Sequence, residues 1–159
     1  MISFSINIVP QPKKRPKVYR WSTVNPSEAA EKELAQMIKN HPNCPKEPIN
    51  NQLRVKVKFF RAIPKNIPKW KFPYIEKGII RPSTSPDLDN YVKLILDALN
   101  KIVWEDDRLI VEMHSAKYYT FESPRIELHI EELNAPEKKS DIMENGNLED
   151  QQHLDDFFT

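Results

Sequence analysis

The segment Pro86–Val103, "PDLDNYVKLILDALNKIV", constrains the fold more than any other part of the chain. Leu88, Val92, Ile95, Leu96, Leu99, Ile102 and Val103 recur at helical period, so the spacing predicts a helix over roughly 87–102 with one face in a core. Acids flank this apolar run on both sides: Asp87 and Asp89 in front, Asp106 and Asp107 behind. Ser85-Pro86 suits a helix start. Asp87 and Asp89 point the same way only if Asp87 sits at or before the cap, where the backbone is still extended. Asp89, Lys93 and Asp97 are spaced four apart and share one stripe.

Such a helix needs a sheet or a second helix to cover its face. "ISFSINIV" (2–9) alternates apolar and polar residues and reads as a half-buried strand. "QLRVKVKFF" (52–60) is the cleanest strand, with Leu53, Val55, Val57 and Phe59 set against Arg54, Lys56 and Lys58. Residues 109–120 and 124–133 read as two further strands, and the break at "FESP" suggests a hairpin between them. "PSEAAEKELAQMIKN" (26–40) is an amphipathic helix with the narrow stripe Leu34, Met37 and Ile38. Proline-rich residues 10–21 cannot be helical, and residues 61–86 form a long irregular connection. The expected fold class is α/β (α+β): a small mixed sheet packed by two main helices in the order β-α-β-α-β-β. Residues 1–133 make one domain, and the acidic residues 134–159 are expected to be a disordered tail.

The net charge of +1 hides an asymmetry. Residues 1–82 carry 17 Lys and Arg against 5 Glu, whereas residues 83–133 carry 5 basic against 11 acidic residues. A basic half suggests a polyanion partner, although two solvated faces that neutralise each other give the same composition. One cysteine, Cys44, forbids an internal disulfide. Neither a signal peptide nor an apolar membrane-length stretch is legible, so a cytoplasmic, nucleoid-associated protein without membrane contact is expected.

Two readings of the acids stay open on spacing alone. First-turn acids complement a helix dipole, and Glu105-Asp106-Asp107-Arg108 suits a solvated turn. Alternatively the acids converge, which needs the turn after the helix to fold back or a site shared across packed elements. Clustered carboxylates repel unless a cation shares them, and oxygen-only ligands suit a hard ion such as Mg²⁺ or Mn²⁺. Such an ion polarises phosphodiesters and activates water, with a nearby lysine neutralising developing charge.

"PDLDNYVKLILDALN" followed by "WEDDRLIVEMHSAKYY" resembles the core signature of the RusA family of Holliday junction resolvases, roughly D-L-D-N-x-x-K…D-A-L-N…W-x-D-D. "PQPKKRPKV" after the first strand is similar to the family's P-x-P-K-x-R-P opening. The resemblance implies a homodimer that binds four-way junction DNA and resolves it by paired symmetric nicks during recombination and repair. It matches Asp87, Asp89 and Asp107 to the family's Mg²⁺-associated catalytic carboxylates, and Lys93 to its essential lysine. Asp106 would support the third acid. The alternatives are a non-catalytic junction-binding protein with this fold and an adaptor that works through its tail.

Lys13, Lys14, Arg15, Lys17 and Arg20, interleaved with Tyr19 and Trp21, are candidate DNA contacts, as are Lys69 and Lys71 beside Trp70. A flexible charged loop is the plainer account of either stretch. His114 and His129 read as half-exposed sheet residues, and His41 with Cys44 is too little for zinc. Gln151, Leu154, Phe157 and Phe158 match the spacing of peptides that dock on sliding clamps, so a replication partner is a further expectation. Those aromatics packing back on the body is the competing one.

Overall fold

The structure is a computed structural model and describes residues 1–135. The expected acidic tail and its docking peptide (Gln151, Leu154, Phe157 and Phe158) therefore lie outside the described residues. The principal sheet orders its four strands β1 (Ile2–Ile6), β6 (Arg125–Glu132), β4 (Leu53–Ala62) and β5 (Ile110–Thr120). β4 pairs antiparallel with β6 and parallel with β5, and β6 pairs antiparallel with β1. Helices α1 (Glu28–Lys39), α2 (Phe72–Glu76) and α3 (Leu88–Leu99) complete the domain, with a separate two-stranded arm of β2 (Lys17–Tyr19) and β3 (Ser22–Val24). The mixed α+β architecture agrees with the sequence expectation.

Alternation decides which strand is central. Leu53, Val55, Val57 and Phe59 of β4 are at most 1% exposed, so this strand gains most from neighbours on both edges. That corrects the expected hairpin between residues 109–120 and 124–133. β4 lies between β5 and β6, and the chain crosses its end at residues 121–124. A turn-like sequence fixes only a local reversal; the nonlocal demand of β4 for two partners sets the pairing.

Helices α1 and α3 pack on each other and, with β1, β4 and β6, enclose the core of Phe4, Leu34, Ile38, Tyr91, Leu94, Ile95, Leu99 and Leu128. The buried stripe of α3 is rotated from the one predicted. Tyr91, Leu94, Ile95, Ala98 and Leu99 are buried, while Leu88, Val92 and Leu96 are only partly so. The Tyr91 ring stacks on Phe59 at 5.1 Å, which draws that side of the helix inward. Helix α3 also ends three residues early: Asn100 takes ψ 135° and Lys101 a left-handed φ of 66°.

The opposite face of the sheet is polar. Arg54, 8% exposed, donates to Glu112 on one neighbouring strand at 2.7 Å and to Glu131 on the other at 3.0 Å. His129 is hydrogen-bonded to Ser3 Oγ at 2.9 Å. Among the described residues no helix is long and apolar enough to cross a membrane.

Candidate active site

Asp87 is the N-cap of α3, with φ −66° and ψ 147°. This is the extended entrance on which convergence with Asp89 depends, and no side-chain cap bond ties its carboxylate down. Two cations from the sheet position the loop in front of it. Lys117 on β5 donates to the carbonyls of Thr84 at 3.3 Å and Pro86 at 3.1 Å, and Arg61 on β4 donates to that of Ser85 at 3.2 Å. Neither Lys117 nor Arg61 stood out in the sequence, because a cation that holds backbone carbonyls has no partner motif. Asp89 is exposed in the first turn, where the helix dipole favours a negative charge.

One turn on, Lys93 pairs with Asp97 at 2.8 Å rather than with Asp89. Asp97, on the stripe it shares with Asp89 and Lys93, is a hub with a side chain only 23% exposed. Its other oxygen is 2.9 Å from the amine of Lys13, which also pairs with Glu31 of α1. The result is a chain of alternating charge, Glu31–Lys13–Asp97–Lys93, across α1, the N-terminal strap and α3. The Lys13 backbone N–H also donates to the Asn90 carbonyl at 2.8 Å. Lys13 is thereby half-buried in an ion pair, unlike its exposed neighbours Lys14, Arg15, Lys17 and Arg20.

The turn after α3 brings the chain back. Trp104 is fully buried, and its indole N–H donates to Asn100 Oδ1 at 2.9 Å. Val103 and Glu105 exchange backbone hydrogen bonds with Ile49. A helix of 12 residues is ~18 Å long, so an acid beyond its C-terminus reaches the middle only if the chain doubles back. The chain does turn after α3: residues 107–109 form a short helical turn leading into β5, and the negative charge of Asp107 is one of the lesser influences on the Lys93 amine. Asp106 is a cap, accepting from the Arg108 N–H at 2.9 Å.

The electrostatics agree along the charge chain. The hydrogen bond to Asp97 holds the Lys93 amine above its ordinary value against partial burial, helped by the charges of Asp97 and Asp107 and opposed by Lys13. Burial alone would push the Asp97 carboxyl up, but hydrogen bonds from Lys93 and Lys13 carry it below the usual carboxylate range. Burial likewise opposes the Lys13 charge, and the bonds to Glu31 and Asp97 raise it nonetheless.

Asp87, Asp89 and Asp107 are in the opposite condition. Among the described residues no side chain or backbone N–H donates to any of the three carboxylates, and none is in an ion pair. No three Asp, Glu, His or Cys side chains among the described residues stand close enough to form a ready metal cage. As a donor set, three carboxylates without protein partners fit a hard divalent cation, which would offset their charge. Lys69 and Lys71 flank the exposed Trp70 in a single turn at residues 69–71, with the Lys71 amine 5.4 Å from the indole centre. Cys44 is half-buried and burial pushes its thiol up, while the ring of His41 packs edge-on against Phe4.

A mixed sheet with a cap-positioned acid, a lysine one turn inside the same helix and a further acid in the turn after that helix defines a class of small α+β domain with an acidic segment around one helix. The sequence profile of the family Endodeoxyribonuclease RusA matches residues 7–131, and the chain belongs to that family. It is also similar to the uncharacterized protein YqaN of Bacillus subtilis (strain 168), 41% identical over 93 residues, or 57% of this chain. The chain spans 65% of the length of that relative. The resemblance seen in "DLDNYVK", "DALN" and "WEDD" thus extends over most of the domain, and four of those motif positions are paired with one another. Asp97 anchors Lys93, and Asn100 accepts from Trp104.

Proposed function

We propose that the protein is a homodimeric, structure-selective endodeoxyribonuclease that resolves four-way DNA junctions by paired symmetric nicks, with Mg²⁺ or Mn²⁺ as cofactor, in recombination and repair. The observation that carries the reading is a contrast among the acids of α3 and its flanks: Asp97 is neutralised by two lysines, while Asp87, Asp89 and, after the helix, Asp107 have no donor among the described residues. Family membership supplies the class of chemistry.

Asp87, Asp89 and Asp107 would hold the metal, which when bound polarises the phosphate and favours ionised water. The remaining steps belong to the chain. Lys93 sets its ammonium against the phosphate oxygens as charge develops there, and its raised pKa keeps it protonated for that role. Asp97 holds the amine in place, so little reorientation is needed at the moment of reaction. Lys14, Arg15, Lys17, Arg20, Lys69 and Lys71 grip the phosphate backbone without reading sequence. Lys13 serves at the base of that surface through its pair with Asp97. The peptide around Gln151, Leu154, Phe157 and Phe158 stays a proposed docking segment for a sliding clamp or another replication protein.

The test is a synthetic four-way junction incubated with the pure protein, with and without Mg²⁺. The expected product is a pair of nicks placed symmetrically in opposed strands, only with metal. Asp87→Asn and Asp107→Asn should remove cleavage and keep junction binding. Cleavage by either variant at the parental rate in Mg²⁺ would overturn the assignment of the acids.

A further inference from the structure

The β2–β3 arm takes no part in the core. All its strand residues are exposed, and Arg20 and Trp21 form its turn. Trp21 is 88% exposed, Val18 79% and Tyr19 56%. The Arg20 guanidinium lies 5.2 Å from the centre of the indole. A two-stranded hairpin with both faces in water is marginal by itself, and an indole kept in water forgoes a large burial gain.

The base of the arm, in contrast, is fastened. Lys14 N–H donates to Ser27 Oγ at 2.7 Å, and Lys13 N–H donates to the Asn90 carbonyl at 2.8 Å. Asn90 stands between Asp89 and Lys93, so the arm is anchored to the helix that carries the candidate site. Charge fixes the kind of occupant. No acidic residue precedes Glu28, whereas Lys14, Arg15, Lys17 and Arg20 lie along the arm and its approach.

We propose that this arm is a nucleobase-stacking element, with Trp21 as the platform for an unpaired base at the branch point of the DNA. Arg20 sits on the same ring, and Lys14, Arg15 and Lys17 hold the flanking phosphates. The inference rests on the DNA reading above and adds the recognition of an opened base to it. An indole stacks on any base, so the arm favours branched over paired DNA without sequence preference. Fully paired duplex offers it phosphates but no free ring face.

The experiment uses the full-length protein in chelator, where binding is read without cleavage. Affinities are measured for a four-way junction, a duplex with a short unpaired loop, and a fully paired duplex, each over a salt series. Trp21→Ala should weaken the first two by about 5- to 100-fold and the paired duplex by less than about 2-fold, at an unchanged salt slope. Trp21→Phe should recover most of the loss. Lys17→Ala should weaken all three and lower the salt slope by about one. Equal losses for Trp21→Ala on paired and branched DNA, or none, would overturn the stacking role. Sedimentation showing that Trp21→Ala splits an oligomer would do the same, making the arm a contact between copies. If the parent nicks junctions while Trp21→Ala binds them normally, stacking alone fails; if the parent binds no DNA, the nuclease reading fails with it.

Discussion

The first turn of α3 and its last two turns carry the same kind of side chain in opposite states. Asp97 is largely enclosed and accepts from two lysines brought in from its own helix and from the N-terminal strap. Asp87 and Asp89 are exposed, and Asp107, in the turn after the helix, is without a donor among the described residues. An acid that serves folding is given its counter-charge by the chain. An acid that serves a ligand is left without one, and the missing charge must come from what binds.

That difference is broken most severely by neutralising the second set. Asp89→Asn and Asp107→Asn should lower junction cleavage by at least about 100-fold in Mg²⁺, the scale of removing a group that acts on transition-state charge. Their unfolding free energies from urea titration should stay within about 0.5 kcal/mol of the parent, since no described hydrogen bond or ion pair is lost. A variant that loses activity and stability together would show that its carboxylate had a structural partner, and the contrast with Asp97 would collapse.

The converse substitution is Asp97→Ala. It leaves the amines of Lys13 and Lys93 facing each other, one of them only 17% exposed, without the carboxylate between them. Breaking a buried pair costs roughly 3–5 kcal/mol, and partial exposure here brings the expectation to about 2 kcal/mol. Chemical denaturation reads it directly. Asp97→Glu should recover part of the stability, and a loss below about 0.5 kcal/mol would reduce the hub to a surface pair.

Why this hub was invisible in the sequence is instructive. The i,i+4 spacing offered Lys93 two equivalent acids, Asp89 and Asp97, and only the distant Lys13 breaks the tie. The spacing of Asp87 and Asp89, by contrast, stated the condition for their convergence, an extended residue before the helix, and Asp87 is such an extended N-cap. Four strands and two helices were legible from periodicity. Their pairing was not, since β4 takes partners from both β5 and β6 and no local signal encodes that order. The β2–β3 arm was missed for a different reason: prolines excluded a helix but said nothing of a hairpin beyond them. Lys117 and Arg61 went unseen because their partners are carbonyls.

A finer division runs between the two lysines on Asp97. Lys13 is 17% exposed and also pairs with Glu31, whereas Lys93 is 54% exposed. Lys13→Met should therefore cost about 1 kcal/mol of stability, and Lys93→Met less than about 0.5 kcal/mol. Activity should reverse the order, with Lys93→Met lowering kcat by about 100-fold and Lys13→Met by less. Equal activity losses would mean that Lys13 faces the substrate too.

The smallest effect is the dependence of stability on pH, and its sign is set by the same three groups. The Asp97 carboxyl lies below its ordinary 3.8 in the folded chain, so its contribution is complete above that value and disappears as pH falls through the lower, folded one. Lys13 and Lys93 lie above their ordinary 10.5, so their contributions are complete below it and disappear as pH rises through the higher, folded values. Stability should thus be flat between these limits as far as this hub is concerned and fall at both ends. In urea titrations, Asp97→Asn should flatten the acid limb relative to the parent. An acid limb that survives in Asp97→Asn would assign it to other carboxylates and strip Asp97 of its distinction from the acids at the head of the helix.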